Sequence, residues 1–421
     1  MTSLSVCPTI SGGTNRKKLK NTSICYGVIL PEDIMMFIVT KLDMEHLHCF
    51  SAVCKSWRSI AIASKKIRRL HLRPQIPWLM LSSLEDNNLW FFSLSRSKLF
   101  RLEFPEVYGA RCYGSNWGWL IMVNKMGRNF LLHPFTRVLN ELPPQGTFPI
   151  QHPSYASITP SFNHIFKAIL LSPPPAATTN NSDLDDKNIV SSVAMDCGVV
   201  VAIYSINDLA FCRPGDEVWT ALGKGFEDII FYDGKLYGFT KRRDLKIVEL
   251  GPHPKVTSCN ITPPEEDDIS ISINLGASPP AEEDLGRLPT NLVKSFYLVE
   301  CLGELLMVIK YCLLVNMTSN VMLKIFKLDQ KSRNWIKVVD LGDQMLFIGA
   351  GSALSVSATD YPGFRGNCIY FTDHNHYSSF ETQVCGTLAK LFHLEDNSIE
   401  PIFSDHSSPA PSPPIWFTPI S

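Results

Sequence analysis

Short apolar runs separated by turn residues dominate the chain from Trp78 to about Pro401. Each run has the length of a β-strand and is rich in valine, isoleucine, phenylalanine and tyrosine, which favour strands. Clear examples are LWFFSL, WGWLIMV, FKAILLS, VVVAIYS, SFYLVE, ELLMVIKY and NCIYFT. Asp233-Gly234 separates two such runs in DIIFYDGKLYGFT and predicts a hairpin turn. The pattern therefore predicts an all-β domain.

A β-domain of this size must protect the edges of its sheets, and small sheets repeated around an axis do so. A weak internal repeat supports this arrangement, because Trp219 precedes Phe231 by the same interval that separates Trp335 from Phe347. In both places a strand with tryptophan is followed by a polar turn and an apolar strand. Coincidence between two ordinary hairpins is the alternative. We predict a β-propeller-like domain.

Apolar positions follow helical spacing between residues 26 and 66 instead. Pro31 suits the start of a first helix, and Asp43 suits the cap of a second. The apolar stripe of the first helix is Ile34, Phe37, Ile38 and Leu42. Met35 and Val39 lie off this stripe, and a unit of about forty residues cannot cover so much apolar surface alone. The unit is therefore predicted to bind a partner.

Residues 30–57 resemble an F-box. The stretch opens with Leu30, Pro31 and an acid and closes with V-C-K-x-W, although Tyr26-Gly27-Val28 stands where a tryptophan is often found. F-boxes bind a Skp-type adaptor that links them to a cullin ubiquitin ligase, so the resemblance implies this partner. Carried over by position, the adaptor-facing residues are Leu30, Pro31, Ile34, Ile38, Leu42, Val53, Cys54 and Trp57. For Ile34, Ile38 and Leu42, a place in the core of the unit is the alternative.

The body resembles plant F-box proteins that carry domain of unknown function 295, regarded as KIB-type or kelch-like β-propellers. The segments that carry this resemblance are FCRPGDEVWTAL, MLFIGAGSALSVSA, RGNCIYFTD, LFHLEDNSIEPI and PPIWFTP. In that family the propeller is taken to recruit a substrate protein for ubiquitination. The resemblance implies a multi-domain α plus all-β protein: a small helical F-box at 26–66, a linker at 67–77 and a propeller at 78–421.

Composition narrows the function further. Hydrophobic residues make up 45% of the 421 residues, and the net charge of −1 argues against bulk nucleic-acid binding. The 12 cysteines form no C-x-x-C pair, which predicts free thiols in a reducing compartment. The most apolar run, 305–315, contains Lys310 and is too short to span a bilayer, and residues 1–10 have no continuous apolar stretch, so we expect no signal peptide there. We expect no membrane or direct nucleic-acid partner, and a location in the nucleus, the cytoplasm or both.

Several segments interrupt the regular pattern. Residues 1–25 are predicted to be a disordered basic tail, with a nuclear import signal or a transit peptide as alternatives. Disordered insertions are predicted near 172–188 and 252–291, and a Pro/Ser linker at 402–414. The apolar residues 415–417 follow that linker and are predicted to close the propeller ring, with partner binding as the alternative.

The sequence shows no nucleophile elbow, no H-E-x-x-H and no P-loop, so no catalytic residue, cofactor or metal is predicted. Gly349-Ala350-Gly351 is interpreted as a turn between strands. Asp373, His374 and His376 in one loop, and His46, His48 and Cys49 in a helix, have the side chains of metal ligands, but solvated positions are favoured.

These observations predict a non-catalytic substrate-recognition subunit of a Skp–cullin–F-box ubiquitin ligase, whose protein substrate is unknown. Two alternatives remain: a binder that occludes a kinase or transcription factor, and a propeller enzyme or small-molecule receptor. The loops at 213–216 and 360–365 combine charge with glycine or proline and are the candidate substrate-binding loops. Turns that only stabilise a blade are the alternative for both.

Overall fold

The protein divides into two compact units, residues 1–71 and 72–421. The computed structural model describes residues 30–42, 50, 53–61, 63, 75–82, 87–149, 165–174, 198–205, 207–251, 253–264, 292–315, 318–351, 353–372, 387–404 and 414–419. The predicted basic tail and most of the two predicted insertions lie outside these residues. Within them, no helix has the length and apolar character that crossing a bilayer requires.

The first unit is helical where it is described. Helix α1 (Glu32–Lys41) begins directly after Pro31, and Glu32 and Asp33 occupy its first turn, where their charge complements the helix dipole. It ends at Leu42, whose backbone is extended. Residues 55–61 are also helical. Trp57 stacks on Phe50 with ring centroids 4.4 Å apart, which ties this second helical segment to the residues before it.

The strands of the second unit form six small sheets, arranged as the blades of a six-bladed β-propeller. Blade 1 holds β1 (Trp78–Ser82), β2 (Asn88–Ser93) and β3 (Lys98–Glu103). Blade 2 holds β4 (Arg111–Asn116), β5 (Trp119–Val123), β6 (Asn129–His133) and β7 (Val138–Leu142). Blade 3 holds β8 (Ile165–Leu170), β9 (Val200–Tyr204), β10 (Asp208–Cys212) and β11 (Thr220–Gly223).

The remaining blades follow in chain order. Blade 4 holds β12 (Phe226–Tyr232), β13 (Lys235–Thr240), β14 (Leu245–Glu249) and β15 (Lys255–Ser258). Blade 5 holds β16 (Leu292–Cys301), β17 (Glu304–Val315), β18 (Thr318–Asp329) and β19 (Asn334–Val338). Blade 6 holds β20 (Gln344–Ile348), β21 (Leu354–Ser357), β22 (Cys368–Thr372), β23 (Thr387–His393) and β24 (Ile399–Ser404). The last strand, β25 (Ile415–Phe417), returns to blade 1.

The core consists of apolar layers, each packed between two neighbouring blades. Strand β5 shows how the sequence produces them. Leu120 and Met122 point toward blade 1, whereas Ile121 and Val123 point toward blade 3, because successive side chains of a strand alternate between its faces. Both faces are buried, and this is why such strands appear in the sequence as continuous apolar runs. The predicted all-β architecture is confirmed.

The C-terminal residues close the ring as predicted. Strand β25 pairs antiparallel with β1, with Phe417 opposite Trp78 and Ile415 opposite Met80, and it forms the innermost strand of blade 1. Trp416 is fully buried, and its indole N–H donates to the carbonyl oxygen of Ile348 in blade 6 at 2.9 Å. One short strand therefore joins the two ends of the domain.

Blade 6 departs from the simple antiparallel order. Its innermost strand, β21, pairs antiparallel with β20, whereas β20 pairs parallel with β22, so the chain crosses over β20 between β21 and β22. The Gly349-Ala350-Gly351 segment links β20 to β21, as its interpretation as a turn implied. A Cβ at Gly349 would overlap Oγ1 of Thr372, so a larger residue there requires the Thr372 side chain to move.

Two sequence-based boundaries are wrong. The insertion predicted from residue 252 begins later, because Lys255–Ser258 form β15, an exposed edge strand whose polar residues give no strand signal. The linker predicted from residue 402 begins later for a similar reason, since β24 runs to Ser404. The repeat at Trp219 and Trp335 spans the junction between two neighbouring blades in both places, although Phe231 is exposed where Phe347 is buried.

Replacing Gly114 by alanine should destabilise the propeller by more than about 4 kcal/mol, a cost typical of backbone overlap in a core. Gly114 lies in β4, and a Cβ there would be 1.8 Å from the backbone oxygen of Ala168 in β8. Denaturant unfolding of full-length protein measures the cost. Gly146→Ala is the matched control, because no atom lies within 4 Å of its Cβ position. Equal stability of the two variants would contradict the close approach of β4 and β8.

Candidate functional site

The predicted adaptor-binding residues of the first unit all remain at least partly accessible. The exposed ones are Leu30, Pro31, Ile34, Val53 and Cys54, and the half-buried ones are Ile38, Leu42 and Trp57. Apolar side chains exposed together on a small unit are typical of a docking surface. No side chain of this set is fully buried, so none of these residues lies wholly in the core of the unit.

The apolar stripe of α1 is not the face that the structure buries. Met35 and Val39, predicted to lie off the stripe as surplus surface, are the buried residues of this helix. Ile34 and Phe37 are exposed instead. Residues 34–39 are all apolar, so helical spacing alone cannot say which face turns inward. Phe37 belongs to the exposed apolar surface and was missing from the predicted adaptor-binding set.

A cavity of about 380 Å³ opens on the axis of the propeller. Its walls come from the ends of β4, β8, β12 and β16 and from the start of the inverted strand β21. The residues that line it are Asn116, Trp117, Ile169, Leu170, Leu171, Ile229, Ile230, Phe231, Leu298, Glu300, Leu302, Ala353, Leu354 and Ser355. Five blades therefore contribute to one concave site, which we call the axial cavity.

Three large apolar side chains are exposed at the axial cavity: Trp117 at 47%, Phe231 at 42% and Leu302 at 77%. Trp117 and Leu302 are the first residues of the tight turns that follow β4 and β16, and their φ angles are +56° and +51°. Sequence reasoning missed these residues. The available signal was a bulky residue before glycine at a hairpin turn, where asparagine, aspartate or glycine is usual.

Carboxylates lie beside the axial cavity between blades 4 and 5. Glu300 is exposed on its wall. Tyr232 donates its hydroxyl to the carbonyl oxygen of Gly303 at 2.8 Å. Burial first, and then the negative charges of Asp233, Glu300 and Glu304, raise the pKa of Tyr232. The surface around this wall is therefore acidic, although Lys327 forms an ion pair with Glu304 at 3.1 Å.

A buried ion pair lies deeper along the same strands. Lys167 of β8 pairs with Asp228 of β12, and the second carboxylate oxygen of Asp228 accepts the backbone N–H of Leu298 in β16 at 2.6 Å. Burial raises the pKa of Asp228, and the charge of Lys167 opposes that shift. This arrangement joins the inner strands of three blades.

The two predicted substrate-binding loops are compact turns that do not line the axial cavity. In the first, the backbone N–H of Arg213 donates to Oδ2 of Asp216 at 2.8 Å, and the loop borders a groove of about 400 Å³ with Pro143 and Pro144. In the second, the backbone N–H of Phe364 donates to the carbonyl oxygen of Tyr361 at 3.2 Å. These internal hydrogen bonds favour the alternative of stabilising turns.

The residues considered as metal ligands in the sequence, 373–376 and 46–49, lie outside the described part of the chain. Within that part, no three histidine, cysteine or acidic side chains are grouped as metal ligands would be. The cysteines with described positions are free thiols. The described side chains at the axial cavity offer apolar surface and charge.

Two regions of the chain match known protein families. Residues 91–389 match the KIB1-4 beta-propeller, and residues 29–68 match the F-box domain. The chain belongs to the KIB1-4 beta-propeller family. Its F-box precedes the propeller, and together they have the architecture of an F-box substrate-recognition protein.

Relatives of this KIB1-4 propeller protein occur in Arabidopsis thaliana. It is 24% identical to the probable F-box protein At4g22060 over 93% of this chain and 95% of the relative. It is 24% identical to the putative F-box protein At5g66830, over 98% and 97%. F-box protein SKIP23 is 25% identical, over 81% and 83%. Among solved structures, the N-terminal domain of Nup159 has 11% identity and a TM-score of 0.29, over 83% of this chain and 80% of that chain.

Proposed function

We propose that this protein is the non-catalytic substrate-recognition subunit of a Skp–cullin–F-box ubiquitin ligase. The observation that supports this most is the exposed apolar surface of the F-box, which includes Leu30, Ile34 and Val53. F-box domains generally bind Skp-type adaptors. The adaptor connects to a cullin, and the propeller holds a target protein for ubiquitination. We also propose that the propeller is a domain of unknown function 295 with kelch-like blades. The proposed location is the nucleus, the cytoplasm or both.

The mechanism is proximity. The F-box binds the adaptor, the propeller binds the target, and the lysines of the target gain a high effective concentration near the ubiquitin carrier of the ligase. The catalytic chemistry belongs to the rest of the complex. A binder that only occludes a kinase or transcription factor would not need the adaptor, so adaptor binding separates the two functions.

Full-length Ile34→Asp/Val53→Asp should bind a purified Skp-type adaptor at least about 100-fold more weakly than wild type, about 2.7 kcal/mol. Both side chains are exposed and apolar, and a carboxylate at either site would have to be desolvated in the interface. Isothermal titration calorimetry with the adaptor measures the affinity.

Ser59→Asp is the control, because it adds one of the same charges to an exposed polar position in the helical segment 55–61. It should keep adaptor affinity within about threefold, which corresponds to the small effect of most exposed substitutions. Retained binding by the double variant would remove the assignment of this face to the adaptor. Binding without proteasome-dependent loss of any target would favour occlusion.

A further inference from the structure

We infer that the axial cavity binds a short extended segment of the target protein, with an aliphatic or aromatic side chain in the cavity and a lysine or arginine beside Glu300. This inference rests on the proposed function, because it names the chemistry that the propeller recognises. The cavity, the side chains exposed around it and the charge beside it each support it.

The axial cavity has the shape and size for a side-chain anchor. Its volume of about 380 Å³ is near the lower end of the range for ligand pockets, which is about 300–1,000 Å³. Ile169, Ile229 and Leu298 supply apolar walls from three blades. Such a site can take one or two side chains of an extended segment, whereas a folded domain cannot enter it.

Two of the three exposed side chains at the cavity belong to residues with a strained backbone. Positive φ angles at bulky residues such as Trp117 and Leu302 are unfavourable, by on the order of 1–2 kcal/mol each. The neighbouring turn after β12 uses Asp233 at the same position, a residue that tolerates this conformation better. Trp117 and Leu302 are exposed, so packing in the core does not offset the strain.

The charges beside the axial cavity indicate which kind of segment it would bind. Glu300 lies on the cavity wall, and Asp233 is close enough to Tyr232 for its charge to affect the hydroxyl, whereas Glu304 forms an ion pair with Lys327. A cationic side chain complements this surface, and an acidic segment would be repelled. Aromatic residues and arginine in well-packed pockets are the residues most enriched at binding hot spots.

A random 12-residue phage-displayed peptide library, selected on immobilised full-length protein, tests the inference. We expect enriched peptides that combine a large apolar residue with lysine or arginine. The variant Trp117→Ser/Phe231→Ser/Leu302→Ser should bind these peptides at least about tenfold more weakly in fluorescence anisotropy. Met126→Ser/Val218→Ser/Val339→Ser is the control, because it removes three exposed apolar side chains outside the cavity.

Glu300→Gln tests the charge. It should weaken peptides that contain lysine or arginine, and it should have little effect once that residue of the peptide is replaced by alanine. Selection of acidic peptides, failure to enrich any peptide, or equal binding by the cavity and control variants would each overturn the inference. Circular dichroism melting confirms that each variant is folded, and single substitutions replace the triple variant if it is not.

The same proteins are titrated with the Skp-type adaptor. If wild type binds the adaptor but no peptide, the proposed function stands and only the axial site is ruled out. If wild type binds the peptides but not the adaptor, the axial site stands and the proposed function fails. The two failures are therefore distinguishable.

Discussion

Deletion of residues 414–421 should leave the propeller unfolded at room temperature. The deletion removes Ile415, Trp416 and Phe417, all fully buried, and the innermost strand of blade 1 with them. Loss of buried side chains of this size costs about 3–5 kcal/mol for each aromatic residue, and the whole stability of a domain is about 5–15 kcal/mol. Near-ultraviolet circular dichroism and thermal unfolding measure the result.

A synthetic peptide of residues 414–421, added in excess to the truncated protein, should restore the folded signal, because a strand can be supplied to an open sheet edge in trans. The same peptide with Trp416→Asp should not restore it. If the truncated protein unfolds at the same temperature as the full chain, the strand does not close the ring and partner binding becomes its function. Trp416→Phe in the full chain is a milder variant that removes the hydrogen bond to Ile348.

Asp228→Ala should destabilise the protein by about 3–5 kcal/mol, the range found when one partner of a buried ion pair is removed. It leaves the ammonium group of Lys167 buried without its carboxylate partner and removes the acceptor of the Leu298 N–H. Urea unfolding of the full chain measures the change.

The double variant Lys167→Met/Asp228→Leu is expected to recover most of that loss, because apolar replacement of a buried pair is often neutral or stabilising. Asp228→Asn separates charge from hydrogen bonding, since its amide oxygen can still accept from Leu298 while Lys167 keeps a buried charge. A cost below about 1 kcal/mol for Asp228→Ala would show that water reaches this pair and compensates for the lost carboxylate.

Local signals predicted local structure well. The Asp233-Gly234 turn joins β12 and β13, and both residues have positive φ angles, as a tight hairpin requires. The burial of the apolar residues at the end of the chain was also predictable from local sequence. Ile415, Trp416 and Phe417 are too apolar for a free tail, and the structure buries all three.

Features that depend on distant parts of the chain could not be predicted. Lys167 and Asp228 each look like ordinary surface residues in sequence, and only the adjacency of β8 and β12 makes them partners. The inverted position of β21 is set by the crossover after it, which leaves no mark in a pattern of period two. The axial cavity collects residues from five blades, so no single segment of sequence contains it.

The pairing of β25 with β1 also determines when the protein can complete its fold during synthesis. The ribosome makes β1 near the start of the propeller and β25 near its end, and at about 5–20 residues per second the interval is roughly 20–70 s. Throughout this time the inner edge of blade 1 has no neighbouring strand, and its apolar surface is available to chaperones or to other nascent chains. A chain that terminates early therefore lacks the strand on which ring closure depends.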